Sequence, residues 1–490
     1  MKTMLTYAVC VLCGVGVAAQ STPMLTLETA VQEALARNDQ ILNQHDATEQ
    51  ATLGVRLARN TFQPKVTPNV LGSFGQTNVN SQNYRIDVSQ KFVSGTEIRL
   101  GAGTSTAQIP AIVGEPSSDI RFYNADTTLT LSQPLLRGLG PGVARRGLSS
   151  AELRRTDAGR QQALVEQQVT LAVASAYYHI VAQQALVDVA RQSLERARRL
   201  REASEARLDA GLVSQLDVLR AQQLVTQAEI QFFDAESAED DARDRLRSLV
   251  GRDMSTPFNV ATDIPRPGQE HVEADAAVAI ALPNRLDLKS LVASGADAER
   301  QVSFAKNQLL PQFDVNVAYT RRQTADSFVH SFGVDRFQLA TFFTIAMPVD
   351  RTPQLVDYQN ALIERDRRKR EIATLQRRIA DDVKHAIRER DRLVRGLAAA
   401  ENSVDIARKE VEVAQLRYER GLSNNLDVVT AEGNLLGAQS RRIQVLADSA
   451  VAGLSLRAVL GILNPRNLEL GIGNWECGTS SVECGPRNRE

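Results

Sequence analysis

The sequence contains an internal duplication, and this feature constrains the fold more than any other. At one offset, Ala58-Arg59-Asn60 recurs as Ala305-Lys306-Asn307, and a proline follows each copy four residues later. At a second offset, residues 207–218 match residues 417–428 through the shared pattern Gly-Leu-x-x-x-Leu-Asp-Val. Self-similarity at a constant spacing indicates that one supersecondary unit has been duplicated. We therefore predict two structural repeats that share one order of helices and strands.

The predicted organisation has five parts: a signal peptide at 1–19, a first repeat at 20–256, a linker at 257–272, a second repeat at 273–463 and a C-terminal tail at 464–490. Each repeat begins with a helical segment, continues with strands and ends with a long helical hairpin that turns at a glycine. The strands are expected at about 66–134 and about 313–348, and the hairpins at about 143–250 and about 353–461.

The predicted strands alternate apolar and polar side chains. In the second repeat Phe313, Val315 and Val317 alternate with Asp314 and Asn316. A period of two gives a strand two different faces. In a soluble sandwich the apolar face would meet a second sheet, whereas in an outer-membrane barrel it would meet lipid while the polar face lines a lumen. The strands by themselves leave both structures open.

The helices carry heptad seams that favour a tube. One seam advances in alternating steps of three and four residues for four heptads, through Leu426, Val429, Gly433, Leu436, Ser440, Ile443, Ala447, Ala450 and Leu454. A second seam starts two residues later, with Val428, Ala431, Leu435 and Ala438. Two residues on a helix are about 200° apart, so this helix needs neighbours on nearly opposite sides. A closed ring of helices provides them, whereas a two-stranded coiled coil uses one seam.

The N-terminus has the pattern of a secretory signal peptide. Met1-Lys2 supplies one positive charge, an apolar stretch follows from Leu5, and small residues close it at Val17-Ala18-Ala19. No later stretch approaches the about 20 apolar residues of a membrane-spanning helix. A membrane crossing by the mature chain is therefore expected to use strands. An alternative to a membrane-crossing protein is an exported coiled-coil structural or binding protein that forms no channel. This alternative explains the heptads but not the strands or the duplication.

Composition argues against two classes of function. The chain has 57 Lys and Arg against 58 Asp and Glu, so no net basic field is present to bind nucleic acid. The five histidines fall in unrelated contexts, and no Gly-rich phosphate loop precedes a lysine. Asp381 and Asp382 are adjacent on a predicted helix and point about 100° apart, which suits a solvated face better than a paired-carboxylate site. We predict no enzyme, no cofactor and no metal.

Two cysteines, Cys477 and Cys484, lie close together in the Gly- and Ser-rich tail. In an oxidising compartment they are candidates for a disulfide. A two-cysteine metal site is the alternative, but neither a histidine nor a second cysteine pair lies nearby.

Three motifs together resemble the TolC-like outer membrane factor family. They are the duplicated Gly-Leu-x-x-x-Leu-Asp-Val turn, the Asn-x-x-x-Pro sequence before each β segment, and Leu131-Ser132-Gln133-Pro134-Leu135-Leu136 at the end of the first. The resemblance covers nearly all of the mature chain. It implies a mainly α-helical fold with a β-barrel part: a homotrimer with a barrel in outer-membrane lipid and a long α-helical barrel in the periplasm. It also implies two partners, a periplasmic adaptor and an inner-membrane transporter.

The first repeat departs from the family plan of two barrel strands per half. Strand-like segments at Tyr84 to Phe92 and Ile98 to Ala102 flank the turn signal Ser94-Gly95. They are either an added hairpin in the barrel or a loop outside it, so the strand number stays open.

The resemblance also implies roles at the periplasmic tip. The turns at Gly211-Leu212 and Gly421-Leu422 would face the adaptor, and Asp427 matches the carboxylate that forms a ring at the closed entrance. The position of the family's second acidic ring is occupied here by Thr430, so the entrance should be less acidic. Tyr418 and Asp217 match residues that link the closed tip, whereas the family's basic partner is Ser423 here. The alternative for Asp217 and Asp427 is that each caps the helix after its turn.

Overall fold

The computed structural model describes residues 24–72, 80–109, 120–255, 257–266, 268, 272–325, 327–328, 330–332 and 337–466. The predicted signal peptide and both tail cysteines, Cys477 and Cys484, lie outside these residues. Most of the described residues are helical and the others include a sheet, which confirms a mainly α-helical fold with a β part.

The first half of the chain has two short helices, four long strands and a long helical hairpin. Its elements are β1 (Met24–Leu25), α1 (Leu27–Arg37), α2 (Asp39–Asn60), β2 (Lys65–Gly72), β3 (Asn80–Lys91), β4 (Glu97–Ile109), β5 (Ile120–Pro134), α3 (Pro141–Ala144), α4 (Arg146–Asp209) and α5 (Gln215–Val250). Helix α4 has 64 residues and is therefore about 96 Å long at about 1.5 Å per residue.

The second half has the same order with two long strands in place of four. Its elements are β6 (Asn259–Val260), α6 (Ala274–Asn284), α7 (Leu286–Gln308), β7 (Gln312–Ala325), a 3₁₀ turn (His330–Phe332), β8 (Phe337–Ala346), α8 (Thr352–Glu419) and α9 (Asn425–Val459). Helix α8 has 68 residues, so the two halves contribute helices of nearly equal length.

All six long strands belong to one antiparallel sheet in the order β2-β3-β4-β5-β7-β8. The strands β3 and β4 therefore lie between β2 and β5 and are not attached at the side. The two halves join where β5 pairs with β7, from Tyr123 opposite Ala325 to Pro134 opposite Asp314.

The long helices lie side by side in the order α5-α4-α9-α8, because α4 packs on α5 and α9, and α9 packs on α8. The seam of Val428, Ala431 and Leu435 on α9 is buried against α8. The later part of the other seam, including Ile443 and Ala447, is buried in a core that α4 also lines. Helix α9 thus has a neighbour on each of two sides.

The largest core lies where the short helices meet the long ones. Tyr177 and Tyr178 of α4 pack there with Val31 of α1 and Phe258. The Tyr177 hydroxyl donates to the Leu25 carbonyl over 3.2 Å, and burial raises the pKa of Tyr178 to about 12. This core lies near the middle of α4 and at the ends of α5 and α9 that are distant from their turns, so both turns lie at the far end of the long helices.

Candidate functional site

The two helical turns have the same backbone conformation. Gly211 and Gly421 both have φ of 72°, a left-handed conformation that glycine adopts without steric cost. In each turn the glycine N–H and the following leucine N–H donate to carbonyls of the last helical turn, over 2.8 to 3.0 Å. The side chains of Leu212 and Leu422 are 74% and 67% exposed. Each turn therefore presents one apolar side chain to its surroundings.

The two turns lie next to each other at one end of the helices. Arg207, in the last turn of α4, donates to the carbonyls of Tyr418 at 2.5 Å and Glu419 at 2.6 Å. Its guanidinium also lies 4.6 Å from the centre of the Tyr418 ring. A cation at the C-terminal end of α8 is favoured both by the free carbonyls and by the helix dipole. Arg207 thus fastens one hairpin to the end of the other.

The matched aspartates of the two turns have different surroundings. Asp217 is buried, and its carboxylate accepts from the Ser214 N–H at 3.1 Å and from the Ser214 hydroxyl at 2.8 Å. This is a capping box at the start of α5. Asp427 occupies the same position in α9, but it is exposed, and Asn424 caps that helix by accepting from the Leu426 N–H at 3.1 Å. The structure therefore places a cap at Asp217 and a surface carboxylate at Asp427.

Tyr418 and Asp217, the two residues matched to tip links, both lie at this end but bond to different groups. Tyr418 is buried, and its hydroxyl lies 3.0 Å from the Ser204 hydroxyl of α4. The backbone carbonyl of Asp217 accepts from the side-chain amide of Asn425, which is also buried. Both contacts connect the first hairpin to the second within one chain.

A buried ion pair behind the tip was not found from the sequence. Arg196 of α4 donates to Glu432 of α9 at 2.7 Å, and their side chains are only 18% and 5% exposed. Gln415 of α8 also donates to Glu432, at 3.3 Å. One feature of the sequence could have indicated a buried charge. Glu432 lies between Ala431 and Gly433, which belong to the two seams of α9.

The described residues contain one group whose ligand atoms are close enough to hold a metal ion. His45, Asp46 and Glu49 lie within 4.8 Å of one another on α2. All three are exposed, and exposed acidic groups of this kind are common without an ion. We assign them no function.

The sheet has two chemically different faces. In register, an apolar row crosses all six strands through Val66, Val88, Leu100, Leu129, Tyr319 and Leu339. The next row lies on the opposite face and consists of Thr67, Asp87, Gly101, Thr128, Thr320 and Gln338. Large apolar side chains on the first face are exposed, among them Ile345 at 73%. Among the described residues of one chain, no apolar layer covers this face.

The sheet is open at both sides. The backbone groups of β2 and β8 that point away from their one partner strand lack a strand to pair with in the described chain. Unpaired backbone groups bond to water at a protein surface. In lipid, which offers no hydrogen-bond partner, each costs on the order of several kcal/mol. The described helices include none with the length and hydropathy of a membrane-spanning segment.

Comparison with known proteins gives a family match, two relatives and a solved structure with the same fold. The model of the outer membrane efflux protein family matches residues 30–252 and 277–462. The chain is 24% identical to the protein CyaE of Bordetella pertussis over 76% of this chain and 77% of the relative. It is 25% identical to the toluene efflux pump outer membrane protein TtgF of Pseudomonas putida, with 76% of each covered. The CmeC outer membrane channel of Campylobacter jejuni has the same fold, with a TM-score of 0.68 at 14% identity over 89% of this chain and 85% of that one.

Proposed function

Because the chain belongs to the outer membrane efflux protein family, as a TolC-like outer membrane factor, we propose that it is a passive exit duct. In this proposal three copies form one channel that crosses the outer membrane through the sheet and extends into the periplasm as a helical tube. The observation that carries the proposal is the sheet, with its exposed apolar face, its polar face and its two open edges. The family's known members are channel proteins and not enzymes.

The open edges support a barrel shared between copies. If the apolar face meets lipid, then β2 and β8 must find partners, because unpaired backbone groups are excluded from the hydrocarbon region. Because each copy has six antiparallel strands, an even number, its edge strands β2 and β8 run in opposite directions. The strand β8 of one copy therefore runs antiparallel to β2 of the next, and the alternation continues without interruption around the ring.

The outer helices of the row support the same closure. On α5, an exposed apolar seam runs through Leu216, Leu219, Ile230 and Phe233. On α8, a second runs through Ile406, Val413 and Leu416. The spacings of three, seven and eleven residues keep these side chains on one face of each helix, as in seams between packed helices. Since α5 and α8 lie at opposite ends of the row, α5 of one copy packs on α8 of the next, and three copies give a closed ring of helices.

The tip supports a gate and a docking end. Three exposed Asp427 carboxylates around one axis would attract cations and repel one another, which creates a local field at the entrance. Leu212 and Leu422 are exposed apolar residues of the adaptor-facing turns. The partners in this proposal are a periplasmic adaptor and an inner-membrane transporter, as in a tripartite efflux pump or a type I secretion system. The structure assigns no cargo.

Chemical crosslinking of the detergent-purified protein tests this assembly. We expect a trimer, and we expect Phe233→Arg, which places a charge in the exposed seam of α5, to reduce it. Asp234→Arg changes the neighbouring exposed position outside the seam and is the matched control. Monomers alone, from protein with intact helicity, would contradict the proposal and favour an exported coiled-coil protein that forms no channel.

A further inference from the structure

The β3–β4 hairpin enlarges the sheet from within. Two strands per half, the plan implied by the family resemblance, would leave β2 and β5 as neighbours. Here β3 and β4 separate them. The strand β3 pairs with β2 along all eight residues of β2, and β4 pairs with β5 along all 13 residues of β4. A hairpin that served as an external loop would leave β2 and β5 paired with each other.

The hairpin also continues both faces of the sheet. Val88 and Leu100 fill the two places of the apolar row that the insertion creates between Val66 and Leu129. On the polar face, Ser89 and Arg99 stand in the row that contains Lys65 and Thr130. An external hairpin has no need of one apolar side in register with the strands beside it, because water surrounds it. The inserted strands therefore have the side-chain pattern of a wall.

On the polar face, a network of side chains connects the β3–β4 hairpin to the neighbouring strands β2 and β5. Arg85 of β3 donates to Asp87 on its own strand at 2.8 Å and to Asp126 of β5 at 2.9 Å. The Asn69 amide of β2 donates to Asp87 at 3.1 Å. The network thus reaches from β2 to β5 and crosses β4 on the way.

Two glycines of β4 make this crossing possible. A Cβ atom built on Gly101 would lie 2.3 Å from a terminal nitrogen of Arg85, and one on Gly103 would lie 3.3 Å from the Arg85 Cγ. The Arg85 side chain therefore lies along the sheet over backbone that has no side chains. A long charged side chain is held against the wall instead of projecting from it, which leaves the space in front of the inserted strands open.

We propose that the β3–β4 hairpin is part of the transmembrane wall, so that three copies close a barrel of eighteen strands, six from each copy. This inference rests on the proposed trimeric duct. Barrel diameter grows roughly linearly with strand number. With strands about 4.8 Å apart and tilted by about 40°, the backbone diameter is roughly 36 Å, against roughly 24 Å for a barrel with two strands per half. The outer-membrane section then accommodates wider cargo than that plan allows, and selection by size falls to the helical tip.

Single cysteines on the two faces test the position of the hairpin. The background carries Cys477→Ser and Cys484→Ser, and Cys10 and Cys13 are removed with the predicted signal peptide. The trimer is reconstituted in lipid vesicles and treated with a water-soluble maleimide. The polar-face variants are Ser89→Cys on β3 and Ser105→Cys on β4, and the apolar-face variants are Val88→Cys and Leu100→Cys. The reference pair is Asn316→Cys and Val317→Cys on β7. We expect labelling of all three polar-face variants and protection of all three apolar-face variants.

The reference strand separates the two ways in which this expectation can fail. Labelling of both β3 faces and both β4 faces, while β7 still alternates, would overturn the eighteen-stranded wall and leave the duct intact. Labelling of both faces of β7 as well would contradict the duct itself. Electron cryomicroscopy of the same trimer gives the strand count directly: eighteen supports the proposal, and twelve with the hairpin outside overturns it.

Discussion

The two helical tips share one sequence motif and one backbone turn, yet their aspartates are used differently. Asp217 is buried and closes a capping box with Ser214, whereas Asp427 is exposed and leaves the capping of α9 to Asn424. The second tip is also held from behind by the buried Arg196–Glu432 pair. Gln222, the residue of α5 that corresponds to Glu432 in the repeat, is exposed. The duplication thus preserved the turn but kept only one of the two carboxylates in a capping contact.

The largest expected effect comes from the buried ion pair that positions the second hairpin. Arg196→Ala should lower the free energy of unfolding by about 3 kcal/mol or more, because it leaves the Glu432 carboxylate buried without its cation. The matched control is Arg198→Ala on the same helix, whose pair with Glu229 is exposed at 51% and 39%. Its loss should cost about 1 kcal/mol or less. Thermal melting followed by circular dichroism measures the stability of both variants. Equal losses of stability would contradict the stronger, buried pair assigned to the second hairpin.

The next effect concerns the aspartates themselves. Asp217→Ala should destabilise the protein by about 1 kcal/mol, the usual cost of losing a helix cap. Asp427→Ala should change stability by less than about 0.5 kcal/mol, as surface substitutions do. The same melting experiment measures both. A larger loss for Asp427→Ala than for Asp217→Ala would reverse the assignment of cap and surface carboxylate.

A third effect tests the link between the two tips. Tyr418→Phe removes the hydroxyl that lies 3.0 Å from the buried Ser204 hydroxyl and should cost about 1 kcal/mol. Because this contact connects α4 to α8, its loss should also raise the open fraction of the channel in conductance recordings. Tyr358→Phe, on the same helix far from the tip, is the control. An unchanged open fraction with lowered stability would make Tyr418 a packing residue only.

The smallest effect on stability and the most specific effect on transport are expected from Asp427→Asn. The substitution removes three charges from the proposed ring without a change of shape, so it should weaken block by multivalent cations and preserve the trimer. Asp217→Asn is the control at the matched position and should leave block unchanged. If Asp427→Asn instead leaves block unaltered and lowers the melting temperature, Asp427 acts on the helix and not on the entrance.

Much of the fold followed from local patterns. The alternation around Val315 predicted strands, and the heptads of α9 predicted a helix with two neighbours, because both depend on residues that are close in the sequence. The position of the β3–β4 hairpin did not follow. Strand order depends on pairing between distant segments, and the same alternating pattern suits a hairpin inside or beside a sheet.

The candidate site was predictable only in part, for the same reason. The repeated motif located both turns, but the burial of Asp217 and the exposure of Asp427 depend on how the helices pack around them. The Arg196–Glu432 pair joins residues 236 positions apart, and neither residue has a local signature. Sequence repeats therefore identify equivalent positions and do not show whether their chemistry is still equivalent.

Planar-bilayer recording of the purified protein tests the central claim most directly. A trimeric duct predicts discrete conductance steps of uniform size when the protein inserts, with cation block that depends on Asp427. A bilayer that stays silent, with protein shown to be folded and trimeric, would contradict the claim that this chain forms an exit channel.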